Sequence, residues 1–173
     1  MDRARKIPIA LSLGTLLVPF GVLPNAHAAL LVNKGAVHNT VLCLAVSAGK
    51  VSTGTGTVIA TTCNGTFAEQ WTFEPGVPYA GQTIQGLKQP TSGPFCLDRL
   101  GNGTNDPTTV DITFCNNTPA QDWDYGQGEI VVPGLPGLYG PRCLTASLGI
   151  APPRPVVIQP CDGSPSQVWS IRS

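Results

Sequence analysis

One pattern of cysteine, leucine and tryptophan runs through this chain three times. The units read Cys43-Leu44 to Cys63 to Trp71, Cys96-Leu97 to Cys115 to Trp123, and Cys143-Leu144 to Cys161 to Trp169. The two cysteines of a unit lie 20, 19 and 18 residues apart, and the second precedes its tryptophan by eight residues each time. Two residues before the tryptophan stand Glu69, Gln121 and Gln167; two residues after it stand Phe73, Tyr125 and Ile171. Such a chain is one unit in triplicate, without linkers between copies. A single unit would leave its apolar face in water, whereas three closing on one another bury it.

Within each unit the apolar residues alternate. Val58 and Ala60, Val110 and Ile112, and Val156 and Ile158 stand five and three positions before the second cysteine, the period of a half-buried strand. Trp followed two residues later by Phe, Tyr or Ile has the same period and predicts a second strand that points both side chains into one core. Further strands are expected around Leu31-Val32, Thr83-Ile84 and Ile130-Val131, separated by turns rich in Gly, Pro, Asn and Ser. No segment has helical period, and with 20 glycines, 17 prolines and only seven Glu and Lys together, a helical bundle is excluded. The expected fold is all-β, about four short strands per unit, with units at about residues 30–80, 81–127 and 128–173.

The N-terminus reads as an address. Arg3, Arg5 and Lys6 precede an apolar run from Ile7 to Leu23, and Asn25-Ala26-His27-Ala28 then offers the small residues a signal peptidase reads. Residues 1–28 are expected to be a signal peptide, leaving 29–173 as one secreted, extracellular domain. A membrane anchor would need about 18 uninterrupted apolar residues, and Pro8, Gly14 and Pro19 interrupt this run. All six cysteines follow residue 28, an even number that in an exported chain predicts disulfides. No Cys-x2-Cys pair exists and His38 is the one histidine after residue 28, so no metal and no cofactor are expected. Ten basic against ten acidic residues, with no cluster of either in the body of the chain, predict partners that are neither nucleic acid nor membrane.

Cys-Leu, then Cys, then Gln-x-Trp, in triplicate at these spacings, resembles the ricin-B-type lectins and related carbohydrate-binding modules. The resemblance extends over roughly residues 30–172, including the opening Leu31-Val32-Asn33, and implies a β-trefoil. It further implies that the two cysteines of each unit pair with one another, as Cys43–Cys63, Cys96–Cys115 and Cys143–Cys161.

The resemblance also implies one possible sugar site per unit. Such a site has an Asp two residues after the first Cys, a polar residue four before the second, an aromatic two before the second, an Asn three before the Trp, and the Gln of Gln-x-Trp. A carboxylate accepts two hydroxyls in defined directions, and an aromatic ring matches the C–H face of a pyranose. Unit one departs throughout, with Ala45, Ile59, Thr61, Ala68 and Glu69 at these positions; unit three has Thr145, Val157, Gln159 and Ser166 and keeps only Gln167. Unit two keeps Asp98, has Asp111 at the polar position and retains Gln121, with Thr113 and Ala120 replacing the aromatic and the Asn. Asp98, Asp111 and Gln121 are therefore the candidate sugar-binding residues. Asn102 and Asn105 nearby are candidates for replacement hydrogen bonds, and Phe114 or Tyr125 for an aromatic edge. Against this, Gln121 and Gln167 serve equally well as braces of a turn, and Asp98 as a cap of backbone N–H groups. Trp71, Trp123 and Trp169 are expected in the core.

No nucleophile motif or phosphate loop is present, and neither Asp98 with Asp111 nor Asp122 with Asp124 has a spacing that sets it across a cleft, so no enzyme is expected. The function expected is that of a secreted, free-standing, non-catalytic lectin. The rival reading is a β-trefoil that binds a protein partner, such as a protease inhibitor, with its sugar sites lost. The sequons at Asn64, Asn102 and Asn116 matter where the host glycosylates exported protein.

Overall fold

The computed structural model describes residues 28–35, 40–47, 55–75, 81–86, 94–103, 106–132, 140–147 and 151–173. The N-terminal segment read as a signal peptide, up to residue 27, and His38 and Asn105 lie outside the described residues, as does the side chain of Asn102.

Among the described residues twelve strands form, four in each unit. Unit one carries β1 (Ala29–Asn33), β2 (Leu42–Val46), β3 (Thr55–Thr62) and β4 (Gln70–Pro75). Unit two carries β5 (Gln82–Gly86), β6 (Phe95–Arg99), β7 (Thr108–Phe114) and β8 (Asp124–Gly126). Unit three carries β9 (Glu129–Val132), β10 (Arg142–Ala146), β11 (Arg154–Pro160) and β12 (Trp169–Arg172). The second strand of each unit contains the Cys-Leu pair, the third carries the alternating apolar residues, and the tryptophan opens or adjoins the fourth.

The first and fourth strands of the units close a six-stranded ring. β1 pairs with β12 and β4, β4 with β5, and β8 with β9. The ring is completed by two single bridges, Gln82 to Trp123 and Glu129 to Val168. The hairpins β2–β3, β6–β7 and β10–β11 pair internally. They meet one another through β3–β7, β7–β11 and β11–β3, so three hairpins close one end. A ring of six strands capped by a triangle of hairpins, with threefold pseudosymmetry, is the β-trefoil.

The core is built in threefold layers. Leu31, Ile84 and Ile130 form one; Leu44, Leu97 and Leu144 another; Val58, Val110 and Val156 a third, all fully buried. Trp71, Trp123 and Trp169 are fully buried in the same cluster. A buried indole N–H needs an acceptor, and each finds one at the Leu carbonyl of its own Cys-Leu pair. Trp71 donates to Leu44 at 2.9 Å, Trp123 to Leu97 at 3.0 Å and Trp169 to Leu144 at 2.9 Å. The cysteines pair within their units, Cys43–Cys63, Cys96–Cys115 and Cys143–Cys161, each with Cα atoms 5.0 Å apart. Disulfide and indole thus tie each hairpin at its open end and to the strand that follows.

Candidate functional site

The residue after the second cysteine starts a turn in every unit. Asn64, Asn116 and Asp162 accept, through their side-chain oxygen, the N–H two residues on: Thr66 at 3.0 Å, Thr118 at 3.2 Å and Ser164 at 2.8 Å. A short 3-10 turn follows, Phe67–Glu69, Pro119–Gln121 or Pro165–Gln167. Its last residue reaches back into the turn. Gln121 accepts from the Asn116 N–H and donates to the Phe114 carbonyl, both at 2.9 Å. Gln167 accepts from the Asp162 N–H at 2.7 Å and donates to Pro160 at 2.8 Å. The Gln of Gln-x-Trp is therefore a brace, its side chain fully buried or nearly so, that satisfies backbone groups of the turn. The Asn64 and Asn116 of the sequons have the same local role, as caps of their turns.

Unit two adds charge to this frame. In the β6–β7 hairpin Asp98 lies directly opposite Asp111, so two carboxylates occupy neighbouring positions on one face of the sheet. Asp98 is only 6% exposed, and a hydrogen bond from the Gln121 side chain supports it. Burial raises its pKa above the usual carboxylate range, and the Gln121 bond and the Arg99 charge offset part of that rise. Asp111 is half-buried, and its Oδ1 is out of contact with solvent and has no hydrogen-bond partner. Burial and then the charge of Asp98 push its pKa to about 6. The three residues singled out in the sequence are thus adjacent. Gln121 is fully buried, with its amide engaged by backbone, and supports Asp98 from behind.

Arg99 was not singled out, and it shapes the same place. It is buried beside Asp98 and donates through Nη1 to the Gly103 carbonyl and through Nη2 to Pro119, both at 2.9 Å. It thereby clamps the start of the β6–β7 loop onto the 3-10 turn that carries Gln121. The signal in sequence was strand alternation, which turns Arg99 to the same side as Leu97.

The equivalent positions elsewhere carry different chemistry. In unit three Thr145 faces Val157. The Thr145 hydroxyl donates to the Cys143 carbonyl at 2.9 Å and accepts from Gln167 at 3.2 Å, so its hydrogen-bonding capacity is met internally. In unit one Ala45 faces Ile59. There a pocket of ≈ 530 Å³ opens, walled by Ala45, Val46, Ile59 and Ala68. The Glu69 carboxylate at its base is consumed by the N–H groups of Asn64 and Gly65 at 2.9–3.0 Å. Phe67, 71% exposed, stands beside it, where the other units have Pro119 and Pro165.

The two aromatic candidates part company. Phe114 stacks at 4.5 Å on Phe95 and is partly exposed, but it alternates to the face opposite Thr113 and Asp111. Tyr125 packs against Phe73 and donates to the Trp169 carbonyl at 3.2 Å. It lines a separate concavity with Gln82, Asp124, Gln127 and Glu129.

Three braced hairpins capping a six-stranded ring are the architecture of a β-trefoil. The sequence profile of the ricin-type β-trefoil lectin domain matches residues 86–173, just over half of the chain, and the chain belongs to that family. The matched span is units two and three; unit one is where the family's site positions are replaced throughout. No curated protein matches the chain in sequence. In structure it is similar to the β-trefoil lectin of the Vibrio vulnificus hemolysin/cytolysin, solved with N-acetyl-D-lactosamine bound: TM-score 0.63, 18% identity, 84% of this chain and 93% of that one. It is also similar to ThreeFoil, a designed threefold-symmetric protein: TM-score 0.67, 19% identity, 84% and 98% covered. The exo-β-1,3-galactanase 1,3Gal43A of Clostridium thermocellum matches at TM-score 0.65 and 19% identity over 87% of this chain, which spans 31% of that enzyme.

Proposed function

We propose that this is an exported, non-catalytic carbohydrate-binding protein that recognises saccharide hydroxyls at the β6–β7 hairpin through Asp98 and Asp111. The observation that carries the reading is the placement of these two carboxylates side by side, Asp98 held by Gln121, at the one unit that keeps the charged residue of a lectin site. Membership of the lectin family and likeness to a lectin solved with N-acetyl-D-lactosamine bound support a sugar as ligand. Non-catalysis is supported by the same geometry: acids on adjacent positions of one hairpin cannot stand on opposite sides of a glycosidic bond. Export rests on the charged, apolar and small-residue regions of the N-terminus.

A glycan array, followed by calorimetric titration of the hits against the protein and its Asp98→Ala variant, tests this. Losing a charge-assisted hydrogen bond costs about 1.5–3 kcal/mol, roughly ten- to a hundredfold in affinity. With Thr113 where a ring would stack, binding is expected in the millimolar range. Equal binding by both forms would place the site elsewhere.

The apolar pocket of unit one, with Phe67 exposed beside it, favours a second reading in which the protein engages a protein partner such as a protease. Inhibition of extracellular proteases, lost on Phe67→Ala, together with an empty glycan array, would establish that reading in place of the first.

A further inference from the structure

We propose that the Asp98–Asp111 pair works as a proton-gated site: it takes its saccharide while the two carboxyls share one proton, and pH switches its affinity. This rests on the carbohydrate reading of unit two and adds its regulation.

The geometry makes the pair unusual. Like charges directly opposite on neighbouring strands repel, and no other unit places them so: the equivalent pairs are Ala45 with Ile59 and Thr145 with Val157. The groups around Asp111 supply no compensating cation. On its own strand Asp111 is flanked by Val110 and Ile112, and on the other side β3 sets Thr57 opposite it. On β6 its neighbours are Asp98 and, beyond it, Arg99, whose Nη1 and Nη2 are both turned to backbone carbonyls. Gln121, from the 3-10 turn, brings no charge. Among the described residues the one ion pair is Arg142 with Asp106, elsewhere in the fold. Asp111 Oδ1 is out of contact with solvent and without a partner, an environment that favours a neutral carboxyl, and the Asp111 backbone N–H offsets this only in part.

One proton resolves the conflict. With Asp111 neutral, Asp98 stays charged and accepts a saccharide hydroxyl, while the Asp111 O–H becomes a donor toward a ligand oxygen. A saccharide covering the pair removes more water from it, which penalises the doubly charged form further. Binding therefore takes up a proton. With Asp111 near about 6, the competent form is about one-tenth populated at pH 7 and dominant at pH 5, so affinity is expected to rise roughly tenfold between them.

Stability carries the same signature without ligand. The folded pKa of Asp111 lies above its unfolded value of about 3.9. Its contribution is therefore fully present below pH 4 and lost as pH rises through about 6. Asp111→Asn, which keeps the shape and is neutral at every pH, should not show that loss.

Three measurements test this on the purified protein. Calorimetric titrations with galactose, N-acetyl-D-lactosamine and xylo-oligosaccharides at pH 5, 6, 7 and 8 should show affinity falling with pH and proton uptake on binding. In Asp111→Asn, whatever its affinity, the dependence on pH and the proton uptake should both disappear. Carbon-13 NMR of the aspartate carboxyls, without sugar, should show Asp111 titrating near pH 6. Titration of Asp111 at pH 4, or pH-independent binding by the unchanged protein, overturns the proposal. So does tighter binding at pH 7.5 on adding calcium, since a cation would then be bridging the pair. Absence of binding at every pH, with Asp111 still titrating near pH 6, overturns the carbohydrate reading and shows a shared proton with no saccharide to gate.

Discussion

Glu69, Gln121 and Gln167 meet one geometric demand with two chemistries. Each sits two residues before its tryptophan and must satisfy the backbone of the turn after the second cysteine. The two glutamines do so by accepting one N–H and donating to one carbonyl; Glu69, with no donor to offer, accepts two N–H groups instead. Gln121→Ala would strip the part-buried Asn116 N–H and Phe114 carbonyl of their partner and leave a cavity where a fully buried side chain stood, so a loss of about 1–3 kcal/mol is expected. Urea unfolding should show it as a lower midpoint at unchanged slope, and a midpoint within error of the parent would mean that water replaces the amide. The positions were legible in sequence, because the repeat sets Gln two residues before every Trp but one. Their role was not, because a Gln that braces a turn and a Gln that meets a sugar look alike until its hydrogen bonds are seen. Arg99 was missed for a related reason: charged residues at strand ends are ordinarily solvated, and only the carbonyls of Gly103 and Pro119 explain why this one is buried.

The hairpin is the element that carries the information. Alternation at Val110 and Ile112, and the Cys-Leu pair at 96–97, made β6 and β7 legible as strands. The register between them was not: Arg99 to Pro107 joins the strands by no recognisable two-residue turn, so nothing in the sequence said that Asp98 would face Asp111 and not Val110. The disulfide helps to hold that register. Cys96 lies in β6, and Cys115 follows the last residue of β7, with its N–H bonded to the Pro94 carbonyl at 3.1 Å. Replacing both cysteines by alanine frees a loop of 19 residues in the unfolded chain, and about 3 kcal/mol of stability should be lost. Because the hairpin frames the proposed site, sugar affinity should fall in the same variant at temperatures well below its unfolding. Affinity unchanged by the substitution would show that strand pairing alone keeps Asp98 and Asp111 opposed.

At the scale of the molecule, threefold pseudosymmetry and functional asymmetry are superimposed. The symmetry belongs to what water does not reach: three leucines, three tryptophans and three indole bonds to Leu carbonyls. The asymmetry lies on the outer faces of the hairpins, where a charged pair, an apolar pocket and an internally satisfied threonine occupy equivalent places. Between units the joints differ too. Arg142 at the start of β10 bonds Asp106 of the β6–β7 loop at 2.8 Å, and across units the ring pairs over five residues at β4–β5, three at β8–β9 and four at β1–β12, while single bridges join the first strand to the fourth inside units two and three. Single bridges inside a unit would let it open on its own while the others hold, but the tryptophans share one apolar cluster, and that argues for a single cooperative transition. Trp71→Ala, Trp123→Ala and Trp169→Ala should each cost about 3–5 kcal/mol through the cavity left, and each also leaves a buried Leu carbonyl without its donor. Calorimetry of the three variants should give one transition in every case, shifted down by similar amounts, with hydrogen exchange accelerated in all three units. A variant that melts in two steps, or that loses protection only in its own unit, would show that the trefoil is three loosely joined parts and not one core.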